Sequence, residues 1–420
     1  MLLPRVGANV AALGIKGYAF IDPVAFGIRH VCSRQPRRCF GHGLQVVRCN
    51  SGGPGHDASA RVAGVGSVKT IGSRLGNNVE LRPYRTVAPA AERILVIGDV
   101  HGDIAAFRRC LRMANLVDVN DRWVGGNSVL VQLGDIFDRG DDDLLIEEWA
   151  HVLSQEARQV NGALYSIMGN HEVLNSKGDH SMATRKSFTP FDDLRSELDQ
   201  MVGGNWGEVK DCPSWAKSRV LAMRPGGPVA KLMASHAVCM KVGDTLFVHG
   251  GLTAGHLRSE GRVDEEGTQE ETVASAEAAM EAINAKVSKW MLHGGYIPRI
   301  VWGEDSPVWI RMFSSPDTHD VRENVRAELE EVLRLTGTKR MCVGHTPQRG
   351  GINSAADGQI WRLDTGMTAM IGGSPEVLEI RGDQMTVLTE NGAVAGSRRA
   401  CRPLTSRRES QKIEEIPPQQ

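Results

Sequence analysis

Five short clusters of acid, amide and imidazole side chains, each beside glycine, hold the residues of this chain best suited to chemistry. They are Gly98-Asp99-Val100-His101-Gly102, Gly134-Asp135-Ile136-Phe137-Asp138-Arg139-Gly140, Gly169-Asn170-His171-Glu172, His249-Gly250-Gly251 and Gly344-His345-Thr346. Side chains of these types ligate metal ions or move protons, and an arginine such as Arg139 can grip an anion. Each cluster alone has a plain structural alternative. Asp99 could cap a following helix, and His249 or His345 could be an ordinary hydrogen-bonded histidine. The alternative weakens when all five are taken together, because every cluster follows a short apolar run.

Those runs read as buried strands: 94–97, 129–131, 164–167, 245–248 and 341–343. Further strands are expected at 360–363, 377–380 and 385–388, and helices at 103–116 and 144–160. Strands alternating with helices argue for an α/β core. In open α/β sheets, sites form at the carboxyl ends of strands, and glycine there lets the chain turn sharply. Two polar, mostly helical stretches, 176–233 and 257–292, lie between strands. The second is acidic and is expected to be a solvated helical face.

A composition of 41% hydrophobic and 24% charged residues is that of a soluble globular protein. The formal net charge of −1 offers no basic field for nucleic acid or an acidic membrane. No apolar run approaches the roughly 20 residues of a membrane-spanning helix. The eight cysteines include no CxxC pair, so a structural zinc site is not expected and a reducing compartment is the default. Residues 1–50 differ from the rest: Arg5, Lys16, Arg29, Arg34, Arg37, Arg38 and Arg48 face one acid, Asp22. That bias is the signature of an organelle transit peptide, and Val47-Arg48-Cys49 resembles a chloroplast processing site. The chloroplast is therefore the expected location, with mitochondrion and cytosol as alternatives. Residues 51–89 read as a linker, 90–391 as the functional domain, and 392–420 as a disordered tail.

The five clusters, GDxHG, GDxxDRG, GNHE, HGG and a late GH, resemble the phosphoprotein phosphatase family of metallophosphoesterases. The likeness runs from about Arg93 to Leu388. Phe247-Val248-His249-Gly250-Gly251-Leu252, Gly344-His345-Thr346-Pro347 and Asp364-Thr365-Gly366-Met367 make it most similar to the Shewanella-like, bacterial-type branch. The SAPNY segment of the better-known eukaryotic members is absent. The resemblance implies a four-layer α/β sandwich, two mixed β-sheets face to face with helices outside, and a calcineurin-like phosphatase domain over 90–391. It implies two metal ions, Mn, Fe or Zn, with Mn expected to serve in vitro. Asp99 and His101 would hold the first ion, Asp135 would bridge, and Asn170, His249 and His345 would hold the second. His171 would be the general acid, oriented by Asp138, and Arg139 would bind phosphate oxygens. Arg311, in Ser306-Pro307-Val308-Trp309-Ile310-Arg311, resembles the second phosphate-binding arginine of this branch.

The activity implied is hydrolysis of phosphate monoesters on a phosphoprotein, by attack of a hydroxide held between the metals. Phosphoserine and phosphothreonine are the expected targets, with phosphotyrosine open. The nearest rival is a symmetrical dinucleoside polyphosphate hydrolase, against which Asp138 in the DRG element argues. A non-catalytic scaffold is disfavoured because His171, Asp138, Arg139 and all six expected ligands are present. No nucleic acid or membrane partner is expected, and the sequence names no regulatory partner.

Overall fold

The computed structural model describes residues 83–261, 268–315 and 321–395. The expected transit peptide, most of the expected linker and nearly all of the expected tail lie outside the described residues. In chain order the strands are β1 (Val87–Ala88), β2 (Ile94–Ile97), β3 (Val129–Gln132), β4 (Ala163–Ser166), β5 (Cys239–Val242) and β6 (Thr245–Val248), then β7 (Arg340–Val343), β8 (Asn353–Ala355), β9 (Ile360–Arg362), β10 (Glu376–Arg381), β11 (Gln384–Thr389) and β12 (Gly392–Ala395). The helices are α1 (Ile104–Met113), α2 (Asp143–Gln159), α3 (Asn170–Ser176), α4 (Arg195–Met201), α5 (Lys217–Met223), α6 (Pro228–Met233), α7 (Ala254–Glu260), α8 (Gln269–His293) and α9 (Glu323–Thr336).

The strands form two six-stranded sheets, β1-β5-β6-β7-β9-β8 and β12-β11-β10-β2-β3-β4. Both are mixed, and each has a parallel trio. In one sheet β6, β7 and β9 run together, and in the other β2, β3 and β4 do. Alternation along the strands explains the layering. Ile94, Val96, Val129, Val131 and Leu378 meet Met240, Val242, Phe247, Cys342 and Trp361 of the facing sheet. The intervening Leu95, Ile97, Leu130 and Leu164 pack instead with Phe107 and Leu111 of α1 and Ile146 and Leu153 of α2. With both faces covered, such strands read as continuous apolar runs rather than alternating ones. The fold is therefore the expected four-layer α/β sandwich.

Several elements differ from expectation, each for a local reason. β5 carries Lys241, β8 reads Asn-Ser-Ala, and β1 is two residues long, so none has a period to detect. The chain is already structured before the end of the expected linker. β1 pairs with β5, and the Tyr84 hydroxyl donates to Glu281 at 2.6 Å. At the other end β12 pairs with β11, so ordered chain continues past the expected boundary at 391. The acidic stretch at 257–292 is mostly α8, and it is a packed layer rather than only a solvated face. Ala276, Met280, Ile283, Val287 and Met291 are buried along one side of it. Glu270, Glu271 and Glu281 point outward.

The two sheets approach closely just past the end of β2. A Cβ on Gly98 would lie 2.2 Å from the Leu363 carbonyl oxygen, just beyond β9. The oxygen is backbone and the Cβ position is fixed by backbone, so neither can swing aside. Gly98→Ala is expected to lower unfolding free energy by about 2 kcal/mol or more, as overpacking in a rigid core does. Urea titration with unchanged m-value checks this, and a loss under about 0.5 kcal/mol would contradict the close approach.

Candidate active site

The carboxyl ends of the two parallel trios open onto one place. β2 delivers Asp99 and His101, β3 delivers Asp135 and Asp138, and the turn after β4 delivers Asn170 and His171 at the start of α3. β6 runs into His249 and β7 into His345. All eight side chains are at most 5% exposed. Their backbones bend sharply to converge: His101, Asp135, Asp138, Arg139 and His345 have φ between 48° and 70°. That left-handed conformation costs a non-glycine residue roughly 1–2 kcal/mol, so surrounding contacts must enforce it.

Asp135 is the centre. Its Oδ2 lies 3.3 Å from His249 Nε2, 3.7 Å from His101 Nε2 and 3.8 Å from His171 Nε2. Two overlapping donor groups result, His101–Asp135–His171 and Asp135–His249–His345. Within each group the potential ligand atoms all lie within 4.8 Å of one another. Asn170 Oδ1 adds a donor 3.0 Å from His249 Nε2. Asp99 sits beside these groups, where both its oxygens accept the His345 backbone N–H at 3.1 Å.

The partners behind the imidazoles fix which nitrogen faces inward. His101 Nδ1 is 2.9 Å from the Phe137 carbonyl and His249 Nδ1 is 2.7 Å from the Leu133 carbonyl. A carbonyl can only accept, so each Nδ1 carries a proton and each Nε2 is the nitrogen that would face a metal ion. His345 is reversed: its Nε2 donates to the Trp309 carbonyl at 3.0 Å, leaving Nδ1 inward. His171 has a different partner. Its Nδ1 meets the Asp138 carboxylate at 2.6 Å, which favours an imidazolium.

The charges and burial of the donors themselves show what the site needs. Burial pushes Asp99 well above the usual carboxylate range, and neighbouring Asp364 adds to the rise. Asp364, itself buried, is pushed up to about 6. Burial would raise Asp135 too, yet the His249 and His171 rings hold it well below the usual range. Burial lowers His249, but Asp135 and Asp99 overcome it and push the ring up to about 10. Acids that must take up protons to share a dry site are suited to share cations instead. The donor set fits two metal ions of the kind bound by oxygen and imidazole.

Two arginines and an anchoring acid complete the site. Arg139 is left-handed at φ 67°, held by its N–H donating to the Met182 carbonyl at 3.0 Å. Its Nε is buried and has no partner among the described residues, a donor free for an incoming oxygen. Arg311 is exposed, and its Nη1 donates to the His345 carbonyl at 3.0 Å and to Thr346 Oγ1 at 2.9 Å. Glu172 is no ligand. It accepts the N–H groups of Gly169 at 2.8 Å, Asp135 at 3.0 Å and Ile136 at 2.8 Å, tying two site loops together.

Sequence reasoning missed the buried polar group behind Asp138, which consists of Asp143, Asn175 and Arg219. Asn175 lies four residues after His171 on α3, a helical spacing that could have flagged it. Arg219 comes from the stretch 176–233, expected only to be polar and mostly helical. A lone arginine before Val220-Leu221-Ala222-Met223 was its one signal.

Glu172→Gln is expected to cost roughly 1–3 kcal/mol, because an amide nitrogen would then oppose a backbone N–H. It should also weaken metal retention without removing any donor atom. Denaturant titration and metal analysis of dialysed protein test this; unchanged metal content with lost stability would separate Glu172 from the site.

Comparison with known proteins agrees with this geometry. Residues 92–362 match the calcineurin-like phosphoesterase family. The chain is 35% identical to Shewanella-like protein phosphatase 2 of Arabidopsis thaliana over 327 residues, covering 71% of this chain and 78% of that one. It is 28% identical to Shewanella-like protein phosphatase 1 of Plasmodium berghei, covering 66% and 67%. The crystal structure of the cold-active protein-tyrosine phosphatase of a psychrophilic Shewanella shares the fold, with a TM-score of 0.53 at 20% identity over 75% of this chain and 83% of that one. The two sheets, the shared carboxylate and these matches agree that the chain is a member of the calcineurin-like phosphoesterases, in their Shewanella-like phosphatase branch.

Proposed function

We propose that this chain is a metal-dependent phosphoprotein phosphatase that hydrolyses phosphate monoesters on serine, threonine or tyrosine side chains. The observation that carries the reading is the placement of His171: one ring nitrogen is pinned by Asp138 and the other faces the oxygen shared by both donor groups. Asp99, His101, Asp135, Asn170, His249 and His345 are the donors that would hold two ions, with Mn the first choice among Mn, Fe and Zn. Bound there, the ions would acidify water and neutralise phosphate charge.

The protein's own residues supply the rest. Asp135, bent into a left-handed turn, aims its carboxylate at the centre while Glu172 fixes its N–H. Arg139 presents an unpartnered buried Nε to a phosphate oxygen, and a planar guanidinium suits that geometry better than an ammonium would. Arg311 would contact a second oxygen from the other rim. As a water oxygen bonds to phosphorus and the bond between phosphorus and the alcohol oxygen breaks, the electron pair goes to the alcohol oxygen, which takes the proton from His171 Nε2. Asp138 stabilises the charged ring before transfer and keeps Nε2 facing the substrate.

Metal-stripped protein should release no phosphate from phosphopeptides, and added Mn²⁺ should restore turnover. His171→Asn is expected to lower kcat by roughly 10²–10⁴-fold with bound metal retained. Asp135→Asn should lose both activity and metal. Peptides bearing phosphoserine, phosphothreonine or phosphotyrosine, run beside diadenosine tetraphosphate, rank the substrates. Preferential cleavage of the dinucleotide would overturn the protein-substrate reading. Two bound metals without turnover of any ester would overturn the enzymatic one.

The acid-poor residues 1–50 support an organelle address, chloroplast ahead of mitochondrion, within the same proposal. A fluorescent protein carrying residues 1–50 should enter plastids; diffuse cytosolic signal would reject the address.

A further inference from the structure

Arg219 is fully buried, with 0% of its side chain exposed, and it lies between two buried carboxylates. Its Nη2 is 3.3 Å from Asp138 Oδ1 and its Nη1 is 2.8 Å from Asp143 Oδ2. The rings of Phe188 and Phe191, centred 5.2 Å and 4.9 Å from the guanidinium carbon, close it off from water. A cation in so dry a place is costly unless every donor is engaged. Here the donors converge on the residue behind His171.

Asp138 is clamped from three directions. Arg219 takes Oδ1, while His171 Nδ1 at 2.6 Å and Asn175 Nδ2 at 2.9 Å take Oδ2. Arg219 also decides which way the Asn175 amide points. Its Nη2 donates to Asn175 Oδ1 at 2.9 Å, and His180 Nδ1 lies 2.7 Å from the same oxygen. With that oxygen occupied by donors, the NH₂ group must face Asp138. Asp143 Oδ2, held by Arg219, in turn accepts the Asp138 backbone N–H at 3.2 Å, in a turn where Asp138 has φ 70°. One guanidinium thus fixes the carboxylate, the amide beside it and the strained backbone beneath it.

We infer that Arg219 is a positioning residue for leaving-group protonation: through Asp138 it sets the orientation of His171 toward the departing alcohol oxygen. This deepens the phosphatase reading and rests on it. As a water oxygen bonds to phosphorus and the ester bond breaks, the electron pair passes to the alcohol oxygen and the His171 Nε2 proton follows it. An alkoxide needs that proton, whereas a dinitrophenolate leaves without it. Lysine at 219 keeps the charge but has no fork to engage Asp138, Asp143 and Asn175 together.

The test compares wild type with Arg219→Lys on a phosphoserine peptide and on 2,4-dinitrophenyl phosphate, with Mn²⁺ present. The expected result is a roughly 10- to 100-fold fall in kcat on the peptide, with KM little changed and a far smaller fall on the activated ester. Metal content should stay that of wild type. Equal falls on both esters, or no fall on the peptide, would overturn the inference. The charge-balanced pair Arg219→Met with Asp143→Asn gives the same comparison should lysine prevent folding, and the same unequal loss is expected. Failure of wild type to cleave either ester would reject the phosphatase reading itself, an outcome distinct from both.

Discussion

A single carboxylate oxygen, Asp135 Oδ2, sets the terms on which the two sheets meet. Rings from β2, the start of α3 and the end of β6 all lie within 3.8 Å of it. These elements belong to different sheets, so the oxygen can be shared only if both present their carboxyl ends to the same point. The parallel trios accomplish this, and the close approach near Leu363 brings the sheets near enough. A buried carboxylate with no countercharge would be costly, and the imidazoles around it are the protein's own part of the answer.

The arrangement is purchased with backbone strain. Five site residues without the freedom of glycine sit in the left-handed region, and each is held by something specific. Glu172 clasps the turn at Asp135, Asp143 clasps the one at Asp138, and Asp99 receives the N–H of His345. Fully or nearly fully buried acids and a fully buried arginine therefore serve geometry more than stability. The interior next to the site is polar but almost wholly engaged, which is the condition under which such networks stiffen a structure.

Much of this could be read in the chain before the fold was known, because the site is written in local clusters. Asp99 with His101, Asp135 with Asp138 and Arg139, and Asn170 with His171 are each neighbours in sequence, and each follows a short strand, fully buried in β2 and β3 and partly buried in β4. The strands at Ile94–Ile97 and Thr245–Val248 fall where their apolar runs put them. What could not be read depends on contacts between distant segments. β5 and β8 are strands because partners pair with them, not because their residues demand it. Arg219 matters through Asp138, 81 residues earlier, and nothing local to α5 records that partner. The acids of α8 showed its outer face and hid how much of the helix is buried.

The bond from the His345 N–H to Asp99 spans 246 residues of the chain. Contacts so distant in sequence form late, since the loop they close must be ordered first. A chain emerging from the ribosome completes the donors that follow β2, β3 and β4 long before β6 and β7 exist. A chain without β6 and β7 lacks His249 and His345 and cannot turn over phosphate. Catalytic competence thus arrives with the last long-range contacts, so activity itself certifies a completed fold.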